Sequence, residues 1–232
     1  MMAAISNSNP EKKRALRAVG IGILYMIVAL VAQTFIQSIP EIALLAERGF
    51  SISGFSTEYL KAELDNAILF SVYMGGIAGI AQEVSEYVAV DTMEREYAIH
   101  IGFGFAVIDI IILVAEAFIG RANFTAFGFL LIIFNVISPF LLHPGTATMM
   151  KWGRIIGKGA LMLSISIILH AGIDGGLVYT DLYVIQNPAS YHLVAAIYWL
   201  LVLVFSAAVF VIGLRLIGRV REVSASEKPV VY

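Results

Sequence analysis

The sequence predicts an all-α fold, a polytopic membrane bundle of about six transmembrane helices, on three observations. Hydrophobic residues make up 59% of the 232 residues and charged residues only 14%, against roughly 45–50% and about 25% in average soluble domains. Mean hydropathy is +0.88. Six separate stretches reach the length of about 20 apolar residues that carries a helix across a bilayer core. A soluble fold of this size leaves too much surface in water to hide that apolar content, and the same numbers exclude disorder.

The expected spans run from Ala18 to Gln37, Ala67 to Val90, Tyr97 to Gly120, Phe124 to at least Leu142 and as far as Met150, Gly157 to Thr180, and Tyr191 to Leu214. They divide the chain into an N-terminal segment 1–17, a transmembrane domain 18–214 and a polar tail 215–232. Residues 38–66 form the longest connection, and its Pro40–Phe50 part suits a short interfacial helix. The links at 91–96 and 121–123 are tight, and Asn187-Pro188 marks a turn.

With the N-terminus placed in the cytoplasm, twelve of the fifteen Lys and Arg residues fall on inner segments; Arg48, Lys61 and Arg121 are outer. That asymmetry predicts both termini inside. The first span has a basic flank but no A-x-A cleavage pattern, so it reads as a retained helix. The sequon Asn123-Phe124-Thr125 abuts the membrane and is not expected to carry a glycan. A formal charge of -2 offers no polyanion-binding face, so nucleic acid is not an expected partner. Without cysteine, thiolate metal sites and cysteine nucleophiles are excluded. No Gly-rich phosphate loop, G-x-S-x-G or H-E-x-x-H is present.

Against this apolar background stand ionisable groups inside the spans. They are Glu83 and Glu86 in the second, His100, Asp109 and Glu116 in the third, His143 in the fourth, and His170 and Asp174 in the fifth. Each costs from about 2.5 to well above 10 kcal/mol at the bilayer centre, so intramembrane charge marks function by default. Glu86, His100 and Glu116 lie nearer span ends and are expected at the interface, and His192 at the surface. His170 and Asp174 are four apart and share one helix face, which Ser166 extends; Glu83 and Glu86 are three apart. Gly75 and Gly79 precede Glu83, and Gly102 and Ala106 precede Asp109; small residues let helices approach closely. From helical rise, Glu83 lies about 10 Å deep, Asp109 about 18 Å and His170 about 20 Å. Convergence on one cavity therefore needs tilted or broken helices, and Pro144-Gly145 is the expected break.

Two imidazoles and two or three carboxylates form a donor set for zinc or another divalent metal, with acidified water as the attacking group. Alternatively a glutamate polarises water while a histidine holds the oxyanion.

The run GGIAGIAQEVSEYVAV at 75–90, IGFGFAVID at 101–109, Leu142-His143, and LHAGID at 169–174 together resemble the YhfC-like intramembrane metalloproteases, distant relatives of the CAAX-protease and PrsW groups. The resemblance covers about 75–176. It implies peptide-bond hydrolysis in the membrane, with Glu83 as base or ligand, His143 and His170 as ligands or oxyanion donors, and Asp174 and Asp109 completing the site; Tyr87 also matches. Gln82-Glu83 stands where the family has two glutamates, Glu86 where it has arginine, and the glycine-rich helix lacks its histidine, the marks of a divergent or inactive member. The carboxylates alone also suit a transporter or its substrate-binding membrane subunit, taking a cation, a proton or a basic solute. A non-catalytic subunit of a larger membrane complex is the third expectation.

Overall fold

The structure is a computed structural model that describes residues 10–119 and 125–220, with the side chains of 116–119 left aside. Among these residues all regular structure is helical. The elements are α1 (Pro10–Gln37), α2 (Ile39–Glu47), α3 (Phe55–Asp65), α4 (Ala67–Ala89), α5 (Ala98–Ile119), α6 (Ala126–Ile155), α7 (Gly159–Gln186) and α8 (Tyr191–Ile217). Single 3-10 turns at Val90–Thr92, Arg95–Tyr97 and Pro188–Ser190 tighten the links. Six helices are long and apolar enough to span a membrane, so the chain is an integral membrane protein in a lipid bilayer. The expected link 121–123, Asn123 and Phe124 of the sequon, the Glu116 side chain and most of the C-terminal tail lie outside the described residues.

α4 and α5 match their expected limits to within a residue, while α6, α7 and α8 run past their expected ends to Ile155, Gln186 and Ile217. α1 begins at Pro10, where a missing N–H costs nothing in a first helical turn, and runs eight residues ahead of the expected start. α2 realises the short helix expected around 40–50. α3 was expected only as charged connection. Gly54 at φ 70° turns the chain, a left-handed conformation that glycine adopts freely, and Glu58, Leu60, Lys61, Ala62, Glu63 and Leu64 behind it are good helix formers.

α6 corrects the expectation of a break. It continues from Ala126 to Ile155 with Pro139 and Pro144 inside. Nearby hydroxyls bind helix carbonyls: Ser138 Oγ donates to Phe134 at 2.8 Å and Thr148 Oγ1 to Pro144 at 2.8 Å. The two prolines leave the carbonyls of Asn135 and Phe140 without their helical N–H, which membrane helices tolerate through neighbouring helices and local adjustment.

The long helices form a ring. α4 lies along α7, α1 bridges α4 and α5, α5 packs on α6, α6 on α8, and α7 closes the ring against α6 and α8. Every residue from 142 to 151 of α6 is buried, as a segment inside a bundle should be. In the apolar window of each span only 17–33% of the residues are buried inside the protein, which leaves much of each helix to face lipid. Two glycines set the distances that matter for the site. A Cβ on Gly79 of α4 would sit 2.7 Å from the Ile167 carbonyl of α7, and one on Gly102 of α5 would sit 2.5 Å from the His143 carbonyl of α6.

Candidate functional site

Close approach of α4, α5, α6 and α7 brings the intramembrane acids and imidazoles together. Glu83 and Glu86 sit one turn apart on α4, and both are fully buried. His143 on α6 and His170 on α7 are buried opposite them, with ring centroids 5.3 Å apart and planes at 62°. Phe105 of α5, also fully buried, packs on the His143 ring at 5.6 Å.

Each histidine is held between a deep glutamate and an outer aspartate. His170 Nδ1 lies 2.7 Å from Glu83 Oε1, and its Nε2 lies 3.5 Å from Asp174 Oδ2. His143 Nδ1 lies 3.7 Å from Glu86 Oε1, and its Nε2 lies 3.2 Å from Asp109 Oδ2. Thr146 Oγ1 donates to Glu86 Oε2 at 2.6 Å. The aspartate side chains keep 24% and 32% of their exposure, while the glutamates keep none. Both rows therefore run from a dry interior to a cavity wall.

The donor set fits a metal ion. Among the described residues, one ligand atom each from Glu83, His143 and His170 lies within 4.8 Å of the others. Glu83 Oε2, Glu86 Oε1 and His143 Nδ1 are buried and make no hydrogen bond, as does the Ser166 hydroxyl one turn before His170. Buried polar atoms are rarely left without a partner. Here they gather where two imidazoles turn the same nitrogen, Nδ1, inward and give Nε2 to a carboxylate. Metal-bound histidines use that second carboxylate to fix tautomer and orientation. Two histidines and a carboxylate are a known zinc-binding set.

A cavity of about 420 Å³ leads to this cluster. All six long helices line it, and its lining includes Asp109, His170 and Asp174 as well as Gln37 and Met74. Its α1–α4 side carries a row of amides. Gln82 Nε2 donates to Gln33 Oε1 at 2.9 Å, Gln33 to Gln37 at 3.3 Å, and Gln37 to the Met74 carbonyl at 2.8 Å.

Glu83, Asp109, His143, His170 and Asp174, singled out in the sequence, all meet here. The interfacial expectation for Glu86 is corrected: the chain continues as a 3-10 turn past Val90 and α6 covers the residue, so it is buried within the cluster. Ser166 is buried on the His170 face. Tyr87 stands apart as a structural clamp, its ring under Arg154 at 3.7 Å and its carbonyl accepting from the same guanidinium at 3.1 Å. His100 is partly exposed near Tyr97, and His192 is exposed against Phe127. Thr146 and the glutamine row were not singled out in the sequence. Hydroxyls and amides inside apolar spans, with Gln33 and Gln37 four apart and Thr146 three after His143, were the available signals.

No family model, curated protein or solved structure matches the chain.

Proposed function

We propose that the protein is an intramembrane hydrolase that cleaves a peptide bond at the Glu83–His143–His170 centre, with zinc as its metal and kinship to the YhfC-like metalloproteases. The observation that carries this reading is the meeting of those three side chains, from three helices, in a dry interior reached by a cavity. Glu83, His143 and His170 would hold the ion. A bound zinc supplies an acidified water and polarises a carbonyl.

The remaining work falls to the chain's own residues. Asp109 and Asp174 stand at Nε2 of the two imidazoles and leave Nδ1 turned to the centre, where that of His170 meets Glu83 Oε1 at 2.7 Å. Thr146 occupies Glu86 Oε2, which leaves Oε1 as the proton-accepting atom. Glu86 then takes a proton from the attacking water and returns it to the departing amine as the C–N bond breaks. Low local dielectric strengthens each of these interactions. The excess of Lys and Arg on the segments carrying the chain ends supports a cytoplasmic N-terminus and C-terminus, so the cavity faces the opposite side.

The test is cleavage of a panel of membrane peptides by the purified protein in lipid. Wild type is expected to cleave at least one peptide and to lose that activity with a chelator, in Glu83→Gln and in His170→Ala. Cleavage that survives both substitutions would contradict the reading. The two carboxyl–imidazole–carboxyl rows also favour a second reading, a proton-coupled transporter, and proton-driven solute uptake into vesicles, abolished in Asp109→Asn, would support it instead.

A further inference from the structure

The cavity has its own chemistry, distinct from that of the buried centre. We infer that it binds a primary ammonium carried on an unbranched alkyl chain, with Asp109 and Asp174 as the counter-charges. The inference goes beyond the hydrolytic reading and does not depend on it.

Three features lead there. The first is charge. Asp109, Asp174 and His170 line the cavity, and neither lysine nor arginine does. Behind them lie Glu83, Glu86 and His143. Four carboxyl groups against two imidazoles leave a surplus of negative charge, even with one divalent ion at the centre and both imidazoles neutral. Buried charge of one sign calls for a compensating partner, and a site of this sign repels anions.

The second feature is unsatisfied acceptors. Gln82 is 3% exposed and Ser206 fully buried, and both lie on the cavity wall. Gln82 Oε1 and Ser206 Oγ make no hydrogen bond. The Gln82 amide nitrogen is already used on Gln33, so its oxygen is the free acceptor. An alkylammonium brings three N–H donors and no acceptor, which matches carboxylates and an amide oxygen. An anion or a neutral acceptor does not.

The third feature is shape. On α4 the wall runs from Met74 to Gln82, about 12 Å of helix. Leu30, Ile112, Leu113, Leu142 and Ile173 give apolar sides beside the two carboxylates. An alkyl stem lies along such walls while its charged head reaches the acids, the arrangement that long basic side chains favour. A volume of about 420 Å³ lies within the roughly 300–1,000 Å³ range of small-ligand sites. A lysine side chain of a peptide and a free alkyl diamine share this chemistry.

The test uses the full chain in lipid nanodiscs after chelator treatment, with thermal unfolding as readout. The probes are 1,5-diaminopentane, Nα-acetyl-lysine methylamide, and their neutral counterparts 1,5-pentanediol and Nα-acetyl-norleucine methylamide. At least one ammonium probe is expected to raise the unfolding temperature saturably at millimolar concentration, and neither neutral probe to do so. Asp109→Asn and Asp174→Asn are each expected to weaken the response tenfold or more, and Ser206→Ala to weaken it less. A stronger response to the diamine assigns a free amine; a stronger response to the lysine derivative assigns a peptide side chain. Neutral probes that match the ammonium probes, or no ammonium response in wild type, would overturn the inference, as would a response unchanged in whichever aspartate variants fold. A chain that binds the ammonium but never zinc would contradict the hydrolytic reading alone. One that binds zinc but not the ammonium would contradict this inference alone.

Discussion

Substituting Gly79 by alanine tests how the fold places the centre, because the neighbouring glycine supplies a control. A Cβ on Gly79 would stand 2.7 Å from the Ile167 carbonyl oxygen and 2.8 Å from the Ala171 amide nitrogen, where ordinary contact begins at 3.4 Å. α4 and α7 must then part by about 0.7 Å, and overpacking of this kind typically costs about 1–3 kcal/mol. Gly79 is one turn from Glu83, and Ala171 adjoins His170. The same displacement stretches Glu83 Oε1 to His170 Nδ1 from 2.7 Å to about 3.4 Å, beyond the usual N–H···O range. A Cβ on Gly76 meets nothing within 4 Å. Thermal unfolding and zinc titration in nanodiscs should therefore show Gly79→Ala destabilised by about 1–3 kcal/mol and weaker in zinc affinity, with Gly76→Ala close to wild type. Equal behaviour of the two variants would refute the claim that helix approach at Gly79 positions the site.

Other outcomes follow from the same geometry. Asp109→Asn keeps the shape at His143 Nε2 but removes the carboxylate 3.2 Å away, so zinc affinity should fall about 10–100-fold, read by competition with a metallochromic chelator; unchanged affinity would remove Asp109 from the support of the centre. On α3, burial and then the charge of Glu41 raise the carboxyl of Glu63, against a lowering hydrogen bond from Tyr59, and the Tyr59 hydroxyl is pushed up to about 12, by burial first and then by Glu63 and Glu41. Because the folded state holds the Glu63 proton more tightly than the unfolded one, stability should fall as pH rises from the ordinary glutamate range through the raised value. Glu63→Gln should flatten that slope, which unfolding scans across mildly acidic pH would show; an unchanged slope would exclude Glu63 as its source.

Much of the fold was legible because lipid imposes a simple rule. A span needs an uninterrupted apolar run, and each of the six long helices announces itself that way. α3 was not legible, since its charged sequence resembles connection and it follows α2 after a short turn segment, 48–54, that ends at Gly54. The site was legible as a set of residues that do not belong in apolar helices. Its geometry was not. Axial depth counted along separate helices gives no tilt, so convergence of Asp109 and His170 with Glu83 could be read only as requiring tilted or broken helices, not which of the two. α6 instead runs unbroken through Pro139 and Pro144. Glu86 was misplaced because its distance to the span end said nothing about α6 lying over it; its bond to Thr146 joins residues sixty positions apart, which spacing along one helix does not reveal.

Zinc content tests the central claim most directly. The purified protein is stripped, reloaded with one equivalent of zinc in nanodiscs, washed and measured by elemental analysis, with X-ray absorption to identify the ligands. A shared centre predicts about one retained zinc per chain with nitrogen and oxygen ligands including two imidazoles, lost in Glu83→Gln, His143→Ala and His170→Ala alike. No retained zinc in wild type, or retention unaffected by all three substitutions, would contradict it.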